Sequence, residues 1–327
     1  VLKFLLRRLA NYVLLVVIAT SLAYLLAAST LDPRANYEGR SPRPPEAVVD
    51  ARLSELNLND KVPLIQRFGT WAGDVVTGDF GRTWEGNSVN QEITRRVGVT
   101  LRLLVLGVLL GSVLGVFAGA YAAVKQYGWF DHGATLVSFL ILSIPTVVIA
   151  VLLQIAAVAF NEATGTRFFQ YTGEYTPGLQ GGLLTHLGDR LQHLVLPTLT
   201  LALSQIAVYS RYQRNMMLDV MNADFVRTAR AKGLTRRAAL VRHALRTALI
   251  PAVTYFAFTF GALLVGTTFT EKIYGWHGMG ELLVNSIYSN DVNSVAAVSC
   301  FAAVAVLIAA LLSDVLHAAL DPRVRVG

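Results

Sequence analysis

The chain has 327 residues, 54% hydrophobic and only 15% charged, with a mean hydropathy of +0.50. A soluble globule carries roughly 25% charged residues, so a chain this apolar needs lipid as part of its solvent. The net charge of +7 does not point to nucleic acid, because the cations gather beside apolar runs, the pattern of membrane topology.

A spanning helix needs roughly 20 mostly apolar residues, and six segments qualify. The first is Leu9–Ala28; Lys3, Arg7 and Arg8 precede it, and the positive-inside rule then keeps the N-terminus in the cytoplasm. The next stretch, Thr30–Gly98, is too polar to span and is expected to form a compact extracytoplasmic element of short helices. Within it, Pro44 and Pro45 followed by Glu46 start a helix, and Gly78 and Gly81 in "TGDFGRTW" supply the dihedrals of a tight turn.

The second span, Leu101–Val124, contains Gly107, Gly111, Gly115 and Gly119, four residues apart. On a helix these make one continuous groove that another helix can approach closely. The partner is either a helix of the same chain or a moving, intersubunit contact. The third span is expected over Ala134–Phe160. A polar loop, Asn161–Arg190, leads to the fourth, Leu194–Tyr209, which is broken by Pro197 and continues as helix beyond the apolar run.

The fifth span is Leu249–Phe269, followed by the outer loop "EKIYGWHGMGELL", and the sixth is Val295–Leu320. Asp314 and His317 lie near the inner end of the sixth span, either as a proton relay or as an interfacial polar pair. The middle of the membrane is otherwise almost free of ionisable groups, which argues against an ion-coupled carrier. Six spans return "DPRVRVG" to the cytoplasm. Cys300, the one cysteine, sits in an apolar run and reads as packing, and the six histidines are scattered with no ligand spacing. Ser143, Gln154, Thr200, Ser204 and Gln205 are candidate polar groups of a transport pathway, or helix-to-helix hydrogen bonds.

The inner loop after the fourth span carries Arg211, Arg214, Arg227, Arg230, Lys232, Arg236, Arg237, Arg242 and Arg246 against Asp219 and Asp224. Asn222–Leu234 reads as a short helix capped by Asn222 or Asp224. Phe225, Ala229 and Gly233 are four apart, and Gly233 before Leu234 fits a left-handed helix end. Thr235 then caps a second helix that leads into the fifth span. Cations alone suit anionic lipid head groups. The face ending in Ala229 and Gly233 suits a knob docking in a protein groove, because bulk limits close approach.

"DFVRTARAKGL" resembles the coupling loop of ATP-binding-cassette importer permeases, in the form shown by the dipeptide, oligopeptide and nickel group. Arg227 and Thr228 stand where that family often has Glu and Ala. The "RR" start, "GDFGR", "LSIPT", "HLVLPTLTLAL", "EKIYGWHGMGELL" and "ALDPR" extend the likeness over nearly the whole chain. The resemblance implies an all-α membrane protein with the type I importer permease fold of about six transmembrane helices. It divides the chain into a first helix (1–29), an extracytoplasmic segment (30–98) and a five-helix core (99–327) containing the coupling loop (218–247).

It further implies a second homologous permease, separate ATPase subunits that bind ATP and Mg, an extracytoplasmic substrate-binding protein, and a bacterial plasma membrane location. The ATPase-coupling residues would be Asp224, Phe225, Arg227, Thr228, Ala229, Lys232, Gly233 and Leu234. The cargo would be peptide, with nickel as the alternative in the same group. The sequence has no G-x-x-x-x-G-K-[ST] phosphate loop, catalytic triad or metal-ligand cluster, so no catalytic, cofactor or metal residue is expected in this chain.

Overall fold

The computed structural model describes residues 2–320. They gather into two compact units, Val1–Leu101 with His277–Leu307, and Arg102–Trp276 with Ile308–Gly327. The expectation for "DPRVRVG" at 321–327 lies outside the described residues.

In the first unit, α1 (Leu2–Thr30) is followed by three short helices, α2 (Ala35–Glu38), α3 (Glu46–Glu55) and α4 (Leu64–Val76). Pro45 and Pro63 stand at the N-caps of α3 and α4, where a missing N–H costs nothing. The core is aromatic. Tyr24 of α1 stacks on Trp71 of α4 at 4.4 Å, with Phe68 alongside, and Leu53, Leu58, Val292 and Ala296 complete it. Gly78 and Gly81 have φ of +90° and +86°, the turn conformations expected of them. A charge network closes the surface of this segment: Arg34 bonds Asp60 at 2.6 Å and Asp50 at 2.7 Å, and Lys61 bonds Asp50 and Glu46. These hydrogen bonds hold the Asp50 and Asp60 carboxyls below the usual carboxylate range. Helix α12 (Met279–Tyr288) and the start of α13 (Val292–Leu320) belong to this unit too. Between them, Asp291 accepts bonds from the Ser294 backbone and hydroxyl and from the Trp84 N–H, and burial pushes its carboxyl up.

The second unit is built on α5 (Val89–Val124) from Arg102 onward, α6 (Trp129–Ser143), α7 (Thr146–Thr164), α8 (Leu183–Met221) and α11 (Leu245–Tyr274). Three expectations are revised. The third span is not one helix: Ile144 is extended (φ −102°, ψ 126°), and Pro145 caps a separate α7. Proline disfavours the helical conformation in the residue before it, so a hydropathy run of the right length contains a break. The fourth span is a helix of 39 residues, far longer than its apolar stretch, with Pro197 inside it. The external loops shorten accordingly, because α7 extends to Thr164 and α8 begins at Leu183. Among the described residues, six helices are long and apolar enough to cross a membrane.

The glycine row of α5 lies against α8. A Cβ at Gly107 would stand 2.8 Å from that of Leu201, and one at Gly115 would stand 2.6 Å from that of Tyr209. One at Gly111 would press on Gln205 and come within 3.1 Å of the Ala202 carbonyl oxygen. One at Gly119 would meet the Ser210 carbonyl and the Arg214 N–H. The facing residues Leu201, Gln205, Tyr209 and Gln213 also recur every four positions, so two ridges of equal period interlock along the helices. Without a hydrophobic drive between helices in lipid, this contact is what holds them.

Gly111→Leu is therefore expected to lower the thermal stability of the detergent-purified chain by the equivalent of about 1–3 kcal/mol. Gly98→Leu on the same helix, where an added Cβ meets nothing within 4 Å, is expected to be neutral or stabilising. Equal melting temperatures for the two variants would contradict this packing.

Candidate coupling surface

Helix α8 ends at Met221, and Asn222 closes it with φ −104° and ψ 7°. Ala223, extended, is then the N-cap of α9 (Asp224–Ala231), and it makes no side-chain cap bond. The expectation that Asn222 or Asp224 caps this helix is thus corrected. Asn222 is used in ending α8, and Asp224 sits inside the first turn. Its charge still favours that end of the helix dipole. Its pair with Arg227, at 3.4 Å with side chains 96% and 75% exposed, adds little.

The other end of α9 follows the expected pattern. Gly233 has φ +96°, and the Leu234 N–H reaches back to the Ala229 carbonyl at 3.3 Å. Thr235 Oγ1 accepts from the Ala238 N–H, starting α10 (Arg236–Ala239). A single π-turn, Leu240–Ala244, joins α10 to α11.

Val226 and Ala229 lie three apart on α9 and are 2% and 8% exposed. They are buried in a cluster with Ala123, Met217, Ala239, Leu240, Ala244 and Ala248, with Leu234 half-buried at its edge. The reading of Phe225, Ala229 and Gly233 as one outward face is corrected. Ala229 faces the chain's own core, while Phe225 and Gly233 are exposed. The reason is geometric: the helix unwinds at Lys232, which leaves Gly233 outside it. The exposed residues of this segment are Asp224, Phe225, Arg227, Thr228, Arg230, Ala231, Lys232 and Gly233. Phe225 is a large apolar side chain, 43% exposed, on a segment that also carries Arg227, Arg230 and Lys232.

A second feature fixes α8 above this surface. Asp131, in the first turn of α6, is 2% exposed and takes a two-pronged bond from Arg214 of α8 at 2.5 and 2.8 Å, and a third from the Tyr127 N–H. One turn away, the Arg211 guanidinium lies 3.9 Å from the centre of the Phe139 ring. The sequence reading missed Asp131 altogether and counted Arg214 only as inner-face charge. Their separation of 83 residues leaves no local signal, beyond a lone carboxylate just before an apolar run.

The candidate pathway residues lie on α6, α7 and α8. Ser143 is exposed and bonds its own helix at the Phe139 carbonyl. Gln154 donates to the Tyr171 and Ile273 carbonyls, tying α7 to a loop and to α11. Thr200, fully buried, pairs with the Tyr274 hydroxyl at 2.9 Å. Ser204 is half-buried on α8. Gln205 is buried against Gly111, its carboxamide oxygen without a hydrogen-bond partner among the described residues. Asp314 and His317 are both half-buried on α13.

A helical membrane bundle that carries a short basic helix seated on alanines, between two long helices, has the architecture of an importer permease. A chain of the MetNI methionine ABC transporter, in an inward-facing crystal form, shares this fold with a TM-score of 0.52. That match covers 71% of this chain and 97% of the other at 17% identity. Residues 111–326 match the family described as binding-protein-dependent transport system inner membrane component. The oligopeptide transport system permease protein OppB of Mycobacterium tuberculosis is 52% identical over 325 residues, 99% of both chains. OppB of Escherichia coli is 30% identical over 99% of both chains. AppB of Bacillus subtilis, also named an oligopeptide transport system permease protein, is 33% identical over 86% of this chain and 87% of its own. The chain belongs to the family of binding-protein-dependent inner membrane transport components, as a multi-pass, non-catalytic permease with the type I fold.

The Asp131 carboxyl is held below the usual carboxylate range, first by its bonds from Arg214. A depressed carboxylate contributes stability that is present above its unfolded pKa, about 3.9, and is lost as pH falls through the folded value. Asp131→Asn is expected to cost about 2 kcal/mol at neutral pH. The gap to the parent protein should close as pH drops below about 4. Denaturation of both proteins across that range checks it, and a gap that does not change with pH would refute it.

Proposed function

We propose that the chain is one of two permease subunits of an ATP-driven peptide importer, and that the outward face of α9 is where the ATPase drives it. The observation that carries this reading is the split of α9 into a buried and a bare side. Val226 and Ala229 fix it to the bundle, and Phe225, Arg227, Thr228 and Lys232 remain for a partner. An exposed aromatic on a helix that also exposes Arg227, Arg230 and Lys232 has the composition of an interface anchor. The anchored helix connects directly to α8 and, through the π-turn, to α11, so a push on it moves two long helices together.

The energy enters from outside the chain. ATP and Mg are bound by separate ATPase subunits, and their closure draws the coupling helices of the two permeases together. A second homologous permease completes the passage, and an extracytoplasmic binding protein delivers the cargo. By the positive-inside rule, the basic loop and the first-span cations support a topology with α9 and both termini in the cytoplasm of a bacterial cell. Segment 30–98 then faces outward, before a core of 99–327 with its coupling loop at 218–247. Peptide as cargo rests on relatives whose names specify oligopeptide transport.

Phe225→Ala is expected to weaken ATPase binding by about ten-fold, the usual loss for a truncated anchor of this kind, with membrane insertion unchanged. Gly233→Trp is expected to act the same way. An added Cβ there meets nothing within 4 Å inside the chain, but at φ +96° any side chain also strains the end of α9, so this variant combines bulk at the contact with a distorted helix end, while Phe225→Ala tests the contact alone. Copurification of the ATPase with tagged permease, alongside uptake of defined peptides into proteoliposomes, reads both outcomes. Full ATPase retention and normal uptake in both variants would remove α9 as the contact.

A further inference from the structure

The helix after Thr235 shifts its register at the π-turn Leu240–Ala244, where the Leu245 N–H reaches back five residues to the Leu240 carbonyl. In an unbroken α-helix, residues five apart stand about 140° apart around the axis. The extra residue of a π-turn cancels most of that offset. The buried side records the shift: Ala239, Ala244, Ala248 and Ala252, spaced by five, four and four, are between 0% and 3% exposed. An unbroken α-helix would rotate Ala239 out of this line.

The same shift builds a second line on the other side. Arg237, Arg242 and Arg246 each stand two residues before one of these alanines, about 200° round the axis from it. All three are exposed, as is Arg236 beside them. Arginine stays charged at any relevant pH. Among the described residues no carboxylate pairs with Arg236, Arg237 or Arg242. Arg246 uses one of its N–H groups on the Leu320 carbonyl at 3.1 Å. Val241, between the arginines, is 59% exposed.

We propose that Arg237, Arg242 and Arg246 form a binding site for the phosphates of anionic phospholipids in the inner leaflet, distinct from the contact face of α9. The proposal rests on the orientation given above. Depth supports it. Arg246 and Arg242 precede Leu249, the start of the apolar run, by three and seven residues. That is about 5 and 10 Å along the axis, at and just beyond a head-group layer some 5–8 Å thick. Arg237 extends the column toward water. A bare valine among guanidinium groups also suits the boundary between acyl chains and head groups, where long cationic side chains reach outward from an apolar stem. The π-turn thus serves two faces: it keeps the alanines against the core, and in doing so it aligns the arginines along the membrane entry of α11.

The test uses the complete importer with its partner subunits, in bilayers of phosphatidylcholine alone or mixed with phosphatidylglycerol, and counts retained lipids by native mass spectrometry. Arg242→Gln is expected to weaken phosphatidylglycerol binding about five-fold, equivalent to ~1 kcal/mol for one cation near a membrane surface, with ATPase retention unchanged. Lys125→Gln, which removes an exposed cation elsewhere, is expected to change lipid retention far less. Equal effects of the two variants would overturn the proposal, because general charge would then suffice. Loss of ATPase with lipid retention intact would also overturn it, by placing the column against protein. Lipid retention requires neither cargo nor hydrolysis, so this result stands apart from that for peptide import.

Discussion

How closely two stretches of backbone can approach decides this structure, and the size of the side chains between them sets that distance. Four glycines on α5 admit the α8 row Leu201, Gln205, Tyr209 and Gln213 to direct contact. A line of alanines, Ala239, Ala244, Ala248 and Ala252, lets the helix leading into α11 lie close on its neighbours. Ala229 and Val226 seat α9 in the same way. In lipid the gain comes from van der Waals contact rather than from expelled water, so each extra methyl at these positions would cost more than its own volume suggests.

This close fit gives α9 its mechanical character. The helix has only eight residues, too few to be stable alone. It persists because one side is packed, because Gly233 reverses the chain, and because Thr235 starts the next helix at once. The Asp131–Arg214 pair adds a polar fastening between α6 and α8 beside an otherwise apolar contact. A segment so held moves with the bundle and does not flex away from it. That property suits a part on which another protein pulls.

Much of this was legible in the sequence, for identifiable reasons. Apolar runs located the membrane helices, since length and hydropathy are local properties. The reading failed where the two diverge. Pro145 divides one apolar run into two helices, and α8 continues beyond its apolar stretch through Leu183–Leu194, most of it exposed, and through the more polar, partly buried Ser210–Met221. Gly233 declared its left-handed conformation because few other residues tolerate it. The side on which Ala229 lies did not show, because an eight-residue helix with apolar residues at Phe225, Val226 and Ala229 offers two possible inner faces. The π-turn left a trace in the alanine spacing of five, four and four, which a search for regular helical periods passes over. The partners of Asp131 and Thr200 come from distant segments and had no local sign.

On the proposed function, the seating of α9 on the bundle transmits the force of ATP hydrolysis. The direct measurement is the number of peptides accumulated per ATP hydrolysed by the complete importer in proteoliposomes, comparing the parent with Ala229→Leu. A leucine at this site, 8% exposed, must lift the helix from its cluster. In Ala229→Leu, hydrolysis is expected to continue while the transport ratio collapses. A variant that imports as many peptides per ATP as the parent would contradict it.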